Sequence, residues 1–188
     1  MLKTITSIIL VLIAVVAGFY LSSFLQTNSG HLYATVNRAL IPAPKELVIP
    51  SLQVRAPIEA VGKTEDGAMD VPQNVWNVAW YEPGPKPGEK GQAVIAGHYD
   101  SKTGPAVFVY LSKLQLGDEV QIIDTSGKTK TFVVYNKEIY DRDSFPISQV
   151  FGDADAPYLN LITCDGIFNK QAETYSKRIV VFTRLKPS

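Results

Sequence analysis

Apolar positions fall along this chain in two regimes. From Thr4 to Gly30 no residue is charged, and Ile5 to Leu25 is mostly Ile, Leu, Val, Ala and Phe. About 20 such residues cross the hydrocarbon of a bilayer as a helix, so this run predicts a transmembrane anchor. Beyond it the apolar residues come in short stretches separated by Gly, Pro, Asn and Asp. These predict strands over 46–49, 52–54, 92–96, 119–124, 130–135, 158–163 and 178–183, with the Thr-Ser-Gly-Lys of 125–128 as a hairpin turn. Residues 106–114 and 74–80 read as short helices. Many short strands with turn chemistry between them favour a barrel or sandwich over an α/β sheet.

Lys3 is the one charge ahead of the apolar run, which places the amino terminus in the cytoplasm and the rest outside. A cleaved signal peptide is the rival reading, with Val15-Val-Ala17 as its cleavage site. Such a peptide has an apolar region of about 7–15 residues, and this one continues through Phe24-Leu25. An uncleaved single-pass anchor in the cell membrane is therefore expected. The absence of a cysteine near Ala17 excludes a lipoprotein anchor. Residues 1–27 are read as cytoplasmic stub and anchor, 28–45 as an extracellular tether holding His31, and 46–188 as one domain with a full core. With 18 basic and 18 acidic residues, no bulk charge favours nucleic acid.

Exported chains normally use cysteines in pairs, yet Cys164 is the only one here. It lies in Asn160-Leu-Ile-Thr-Cys164, while His98 follows Ile95-Ala-Gly97 and Arg178 opens Arg178-Ile-Val-Val-Phe182. A thiol, an imidazole and a fixed cation are the parts needed for acyl transfer through a thioester. Each has a bland reading as well. A lone cysteine at a strand end is commonly a small buried hydrophobe, His98 suits a turn capped by Asp100, and Arg178 suits a solvated strand start, with Arg184 or Arg55 as substitutes. Asp153 and Asp155 suggest a calcium loop, but two carboxylates fall short of the six to eight oxygens such a site takes. No metal or cofactor is expected.

The order Ala-Gly-His, Leu-Ile-Thr-Cys and a basic residue opening the last strand resembles the sortases, most closely those called class F, with class E next. The likeness extends over Ile49-Pro-Ser-Leu-Gln-Val-Arg-Ala-Pro-Ile58, Pro83-Gly-Pro-Lys-Pro-Gly88, Gly104-Pro-Ala-Val-Phe108 and Leu116-Gly-Asp118. It departs at Asn160, where the family's box begins with threonine.

The resemblance implies a closed eight-stranded β-barrel with short connecting helices, and a cysteine transpeptidase without cofactor. Cys164 would be the nucleophile, His98 the general acid and base, and Arg178 the group that holds the oxyanion or carbonyl. Tyr99, Asp100 and Thr163 are expected to shape the pocket. The segment 141–157, with Val150 and Phe151, would form the wall that receives the Leu-Pro part of a Leu-Pro-x-Thr-Gly-like sorting signal. Residues 165–177 would overhang the site as a loop. The implied partners are secreted proteins with that signal and a peptidoglycan or pilin amine. Two other readings remain: a cell-wall L,D-transpeptidase, whose Ser-x-Gly-Cys frame is not found around Cys164, and a non-catalytic tethered β-domain with an inert thiol.

Overall fold

The computed structural model describes residues 41–172 and 174–187. The expected anchor, 1–27, and residues 28–40 of the expected tether lie outside the described residues. Ten strands follow: β1 (Pro44–Ile49), β2 (Val54–Val61), β3 (Val78–Tyr81), β4 (Gly91–Gly97), β5 (Asp100–Ser101), β6 (Gly104–Pro105), β7 (Glu119–Asp124), β8 (Thr129–Asp141), β9 (Pro157–Asn169) and β10 (Thr174–Leu185). One short helix, α1 (Ile147–Phe151), stands between β8 and β9. Eight strands close a barrel in the order β1-β2-β3-β4-β9-β10-β8-β7, and β7 pairs back onto β1. The β2–β3 and β4–β9 pairs are parallel, the others antiparallel.

Period-two alternation sorts the strand residues between two apolar clusters. Leu47, Ile95, Phe108, Phe132, Leu161, Ile179 and Val181 are among those that fill the barrel. Val94, Ile162, Val180 and Phe182 face the other way and pack with Val150 of α1 in a second, outer cluster. The turn from β7 to β8 is built on Asp124, whose Oδ1 accepts from Ser126 N (2.9 Å), Ser126 Oγ (2.6 Å) and Lys128 N (3.0 Å). Gly127 supplies the positive φ of 82° that the turn requires.

Several elements differ from the sequence expectation. Residues 74–80 are no helix: turns lead into β3, whose Val78, Ala79 and Trp80 are all buried. A strand covered on both faces loses the alternation that would mark it. The strand expected over 52–54 is a 3-10 turn, Pro50–Leu52, and β2 begins at Val54. Of 106–114 only Leu111–Lys113 is helical. Ala106 and Phe108 instead donate backbone hydrogen bonds to Tyr99 O (3.1 Å) and His98 O (2.9 Å). Residues 165–177 are not an overhanging loop, because β9 runs on to Asn169 and β10 starts at Thr174. They form the end of a long hairpin.

Gly97 is where the interior leaves no space. A Cβ there would meet Phe108 Cδ2 at 2.6 Å and Val107 Cγ1 at 2.9 Å, both on buried side chains. Gly97→Ala should lower stability by about 1–3 kcal/mol, the usual effect of overpacking a filled core. An unchanged denaturant midpoint in this variant would show the contact to be slack.

Candidate active site

Three neighbouring strands each place one reactive residue on the same outer face. On β9, Leu159, Leu161 and Thr163 point into the barrel, which turns Ile162 and Cys164 outward. On β10, Ile179 and Val181 point inward, leaving Arg178, Val180 and Phe182 outward. Arg178 stands directly opposite Cys164 in the antiparallel register. On β4, Val94 shares the outward face, and Ala96 pairs with Ile162 in the parallel register. Two further steps bring His98, one residue beyond the strand, alongside Cys164. All three residues border one groove of about 760 Å³. Its apolar part is made by Met69, Tyr81, Phe145, Ile147, Phe151 and Ile162.

The supporting bonds are specific. Thr163 Oγ1 donates to Gly97 O at 2.7 Å, tying the strand of the thiol to the strand that ends at the histidine. Thr163 is buried, so its hydroxyl serves that bond from inside the barrel. His98 Nε2 lies 3.0 Å from Pro72 O. A carbonyl can only accept, so Nε2 carries the proton and Nδ1 is the basic nitrogen of the neutral ring. Arg178 donates through Nη1 to Tyr175 O (3.0 Å) and Lys177 O (2.8 Å), and through Nη2 to Thr174 Oγ1 (3.0 Å). Among the described residues no carboxylate pairs with it. The guanidinium is thus held by neutral acceptors, which leave its charge uncancelled at the border of the groove.

Cys164 is half-buried. Burial pushes its thiol above the ordinary range, the Arg178 charge pulls it back in part, and Asp100 adds to the rise. Asp100 accepts a short hydrogen bond from Tyr175 Oη, which holds the Tyr175 phenol up at about 12. Tyr99 packs edge-on against Tyr175 at 5.5 Å, and Phe168 packs on Tyr175 in a tilted arrangement at 5.1 Å. Tyr99 and Asp100 therefore sit with this aromatic group. Phe151 lines the groove, edge-on to Tyr81 at 5.4 Å. Val150, on the inward side of α1, is fully buried and does not reach the groove.

The sequence reading did not single out Tyr81, Met69, Pro72 or Thr174. Tyr81 ends β3, a strand that was not read as one, and the others act through the backbone, a lone hydroxyl or plain packing, which leave no pattern. Asn160, the departure from the expected threonine, is buried and donates from Nδ2 to Gln92 Oε1 (3.0 Å) and Val150 O (2.8 Å). It fastens α1 to the sheet, and its own Oδ1 has no partner among the described residues.

Comparison with solved structures returns the same architecture. Sortase C-1 from Actinomyces oris superposes with a TM-score of 0.62 at 21% identity, over 80% of this chain and 77% of that one. Sortase C1 from Streptococcus agalactiae gives 0.60 at 20%, over 77% and 67%. Sortase A from Corynebacterium diphtheriae gives 0.60 at 19%, over 78% and 62%. No curated protein matches in sequence. Identities this low speak for the fold alone. The family assignment comes from the sequence itself, since the family model of the sortase domain matches residues 47–186. With a barrel of that topology, and a thiol, imidazole and guanidinium on one outer face of it, the chain belongs to the sortase family of cysteine transpeptidases.

Proposed function

We propose that this protein is a membrane-anchored sortase that cleaves a Leu-Pro-x-Thr-Gly-like sorting signal and transfers the released protein to a cell-wall or pilin amine. Its amino-terminal segment is the anchor, and its barrel works outside the membrane. The observation that carries the reading is the cross-strand pairing of Cys164 with Arg178, beside His98, on the wall of an apolar groove. The motif likeness favours class F. An apolar wall of Tyr81, Phe145 and Phe151 suits the Leu-Pro portion of the signal. The scissile carbonyl then lies over Cys164.

The chemistry follows from the protonation states. With its pKa raised by burial, Cys164 rests as a thiol at neutral pH. His98 Nδ1 accepts the thiol proton as sulfur attacks the carbonyl carbon. The C–S bond forms, the carbonyl electron pair moves to oxygen, and Arg178 donates to that oxyanion. Collapse breaks the C–N bond, and His98 returns its proton to the departing amine. The incoming amine attacks the thioester, gives up a proton to His98 and displaces the cysteine sulfur, which recovers the proton.

Cys164→Ala should abolish peptide cleavage and leave the barrel folded. Cys164→Ser should be nearly as damaging, because a hydroxyl without a strong base is a poor nucleophile. Parental turnover in Cys164→Ala, measured on a fluorogenic sorting peptide, would end this reading.

Alkylation tests the electrostatics. The rate of Cys164 labelling by iodoacetamide should rise with pH to a midpoint above that of an ordinary thiol, since only the thiolate reacts. Removing the cation in Arg178→Ala removes a lowering influence, so the midpoint moves up. Asp100→Asn removes a raising influence, so it moves down. A midpoint unmoved in both variants would mean that neither charge reaches the sulfur.

Arg178→Lys separates charge from shape. A lysine ammonium on a flexible stem cannot hold the Thr174 and Tyr175 anchors while donating to a substrate. Loss of one oxyanion donor lowers turnover on the order of 10²–10³-fold in other enzymes. A comparable fall in kcat/KM with an unchanged thermal midpoint is expected. Parental cleavage by both the lysine and alanine variants would place the cation elsewhere.

A further inference from the structure

Glu59 lies on β2, outside the trio, and none of the roles assigned above uses it. Its carboxylate accepts three hydrogen bonds from one loop: Gln73 N at 2.9 Å, Asn74 N at 3.4 Å and Asn77 Nδ2 at 2.7 Å. The loop is tightened further by Trp76 N to Asn74 Oδ1 (2.9 Å) and Val107 N to Val75 O (3.1 Å). Immediately ahead of Gln73 stands Pro72, whose carbonyl receives His98 Nε2. The amides of Gln73 and Asn74 and the carbonyl of Pro72 belong to consecutive residues, so fixing the amides fixes where that carbonyl points.

A histidine that acts as a base is commonly oriented by a third group, which sets its tautomer through the nitrogen that does not react. Here that partner is the backbone carbonyl of Pro72. The carboxyl of Glu59 is held below its usual range, chiefly by the Gln73 amide and then by the Asn77 side chain, so the clamp is charged at neutral pH. Charged acceptors make the stronger hydrogen bonds.

We propose that Glu59 is a positioning residue for His98: by clamping residues 73–77 it aims the Pro72 carbonyl, and so fixes the ring's orientation and its Nε2–H tautomer. This rests on His98 being the acid and base of the transpeptidation. It assigns the work of a third catalytic partner to a carboxylate that never touches the ring.

The test uses the full-length chain labelled with ¹⁵N-histidine. The sequence has two histidines, so a His31→Gln variant assigns the His98 signals. In the parent, His98 should show the Nε2–H pattern when neutral. Glu59→Ala should move both ring nitrogens toward a tautomer mixture and lower kcat for peptide cleavage about tenfold, a part of the 10²–10⁴ that a positioned acid–base group contributes. KM should stay within about twofold, as expected when an interaction made in the transition state is lost. Glu59→Gln keeps one acceptor oxygen at the same reach and should shift both readouts less.

Parental ring signals in Glu59→Ala overturn the proposal, whether or not kcat falls, because a merely structural role would leave the tautomer alone. If the alanine variant does not fold, Glu59→Gln decides on the same two readouts, and unmoved signals with parental kcat overturn it. A folded parent that cleaves no sorting peptide would defeat the transpeptidase reading instead. The His98 nitrogens would still report on Glu59 in that case.

Discussion

One buried hydrogen bond, from Thr163 Oγ1 to Gly97 O, sets the spacing on which the site depends. It joins β9 to β4 at the point where their parallel pairing runs out, one residue short of both the thiol and the imidazole. Parallel pairs tend to be slightly weaker per residue than antiparallel ones. A side-chain bond at the frayed end keeps two reacting groups from drifting apart. Gly97 serves the same end from inside, because only a residue without a side chain lets Phe108 and Val107 close against the strand there. Interior packing and exterior chemistry therefore meet in one peptide unit.

The electrostatics of the trio balance burial against charge. Half-burial works against ionising Cys164, and Arg178 works for it. An arginine paired with a carboxylate would have had most of its field cancelled. Binding this guanidinium to backbone carbonyls and a threonine hydroxyl satisfies its donors and leaves the charge in place. Such a cation is worth more in a groove lined by Tyr81, Phe145 and Phe151 than it would be in water, because the local dielectric is low.

Much of this was legible in the chain. The stretches at 92–96, 119–124, 130–135, 158–163 and 178–183 fall within β4, β7, β8, β9 and β10. β7 and the start of β8 could be read because one face is buried and the period of two survives. By contrast, β4, β9 and β10 are buried on both faces and were read as apolar runs bounded by turn residues. β3 could not be read, since four residues, with Val78, Ala79 and Trp80 buried without alternation, are too short a run to tell from part of a helix. Helix α1 escaped notice because five residues are too few to show a helical period. Cys164, His98 and Arg178 stood out by residue type and order, and the structure brings them together. Thr163 was anticipated in the pocket, and the structure places it on the groove's border with its hydroxyl bonded to Gly97 O. Glu59 had no signal at all: an acidic residue beside Pro57 and Ile58 looks like any solvated strand position until the loop it holds is seen.

The place of β10 in the barrel has a consequence for how the protein is made. Arg178 and its anchors Thr174 and Tyr175 all belong to this strand, which slots between β8 and β9. Chains grow and emerge amino end first. A half-emerged chain therefore carries its thiol but not its cation, and with β8 and β9 still unjoined its barrel is open. Acyl transfer cannot begin on such a chain. The order of the strands makes the last hairpin to form the one that arms the enzyme, so unfinished molecules stay chemically quiet.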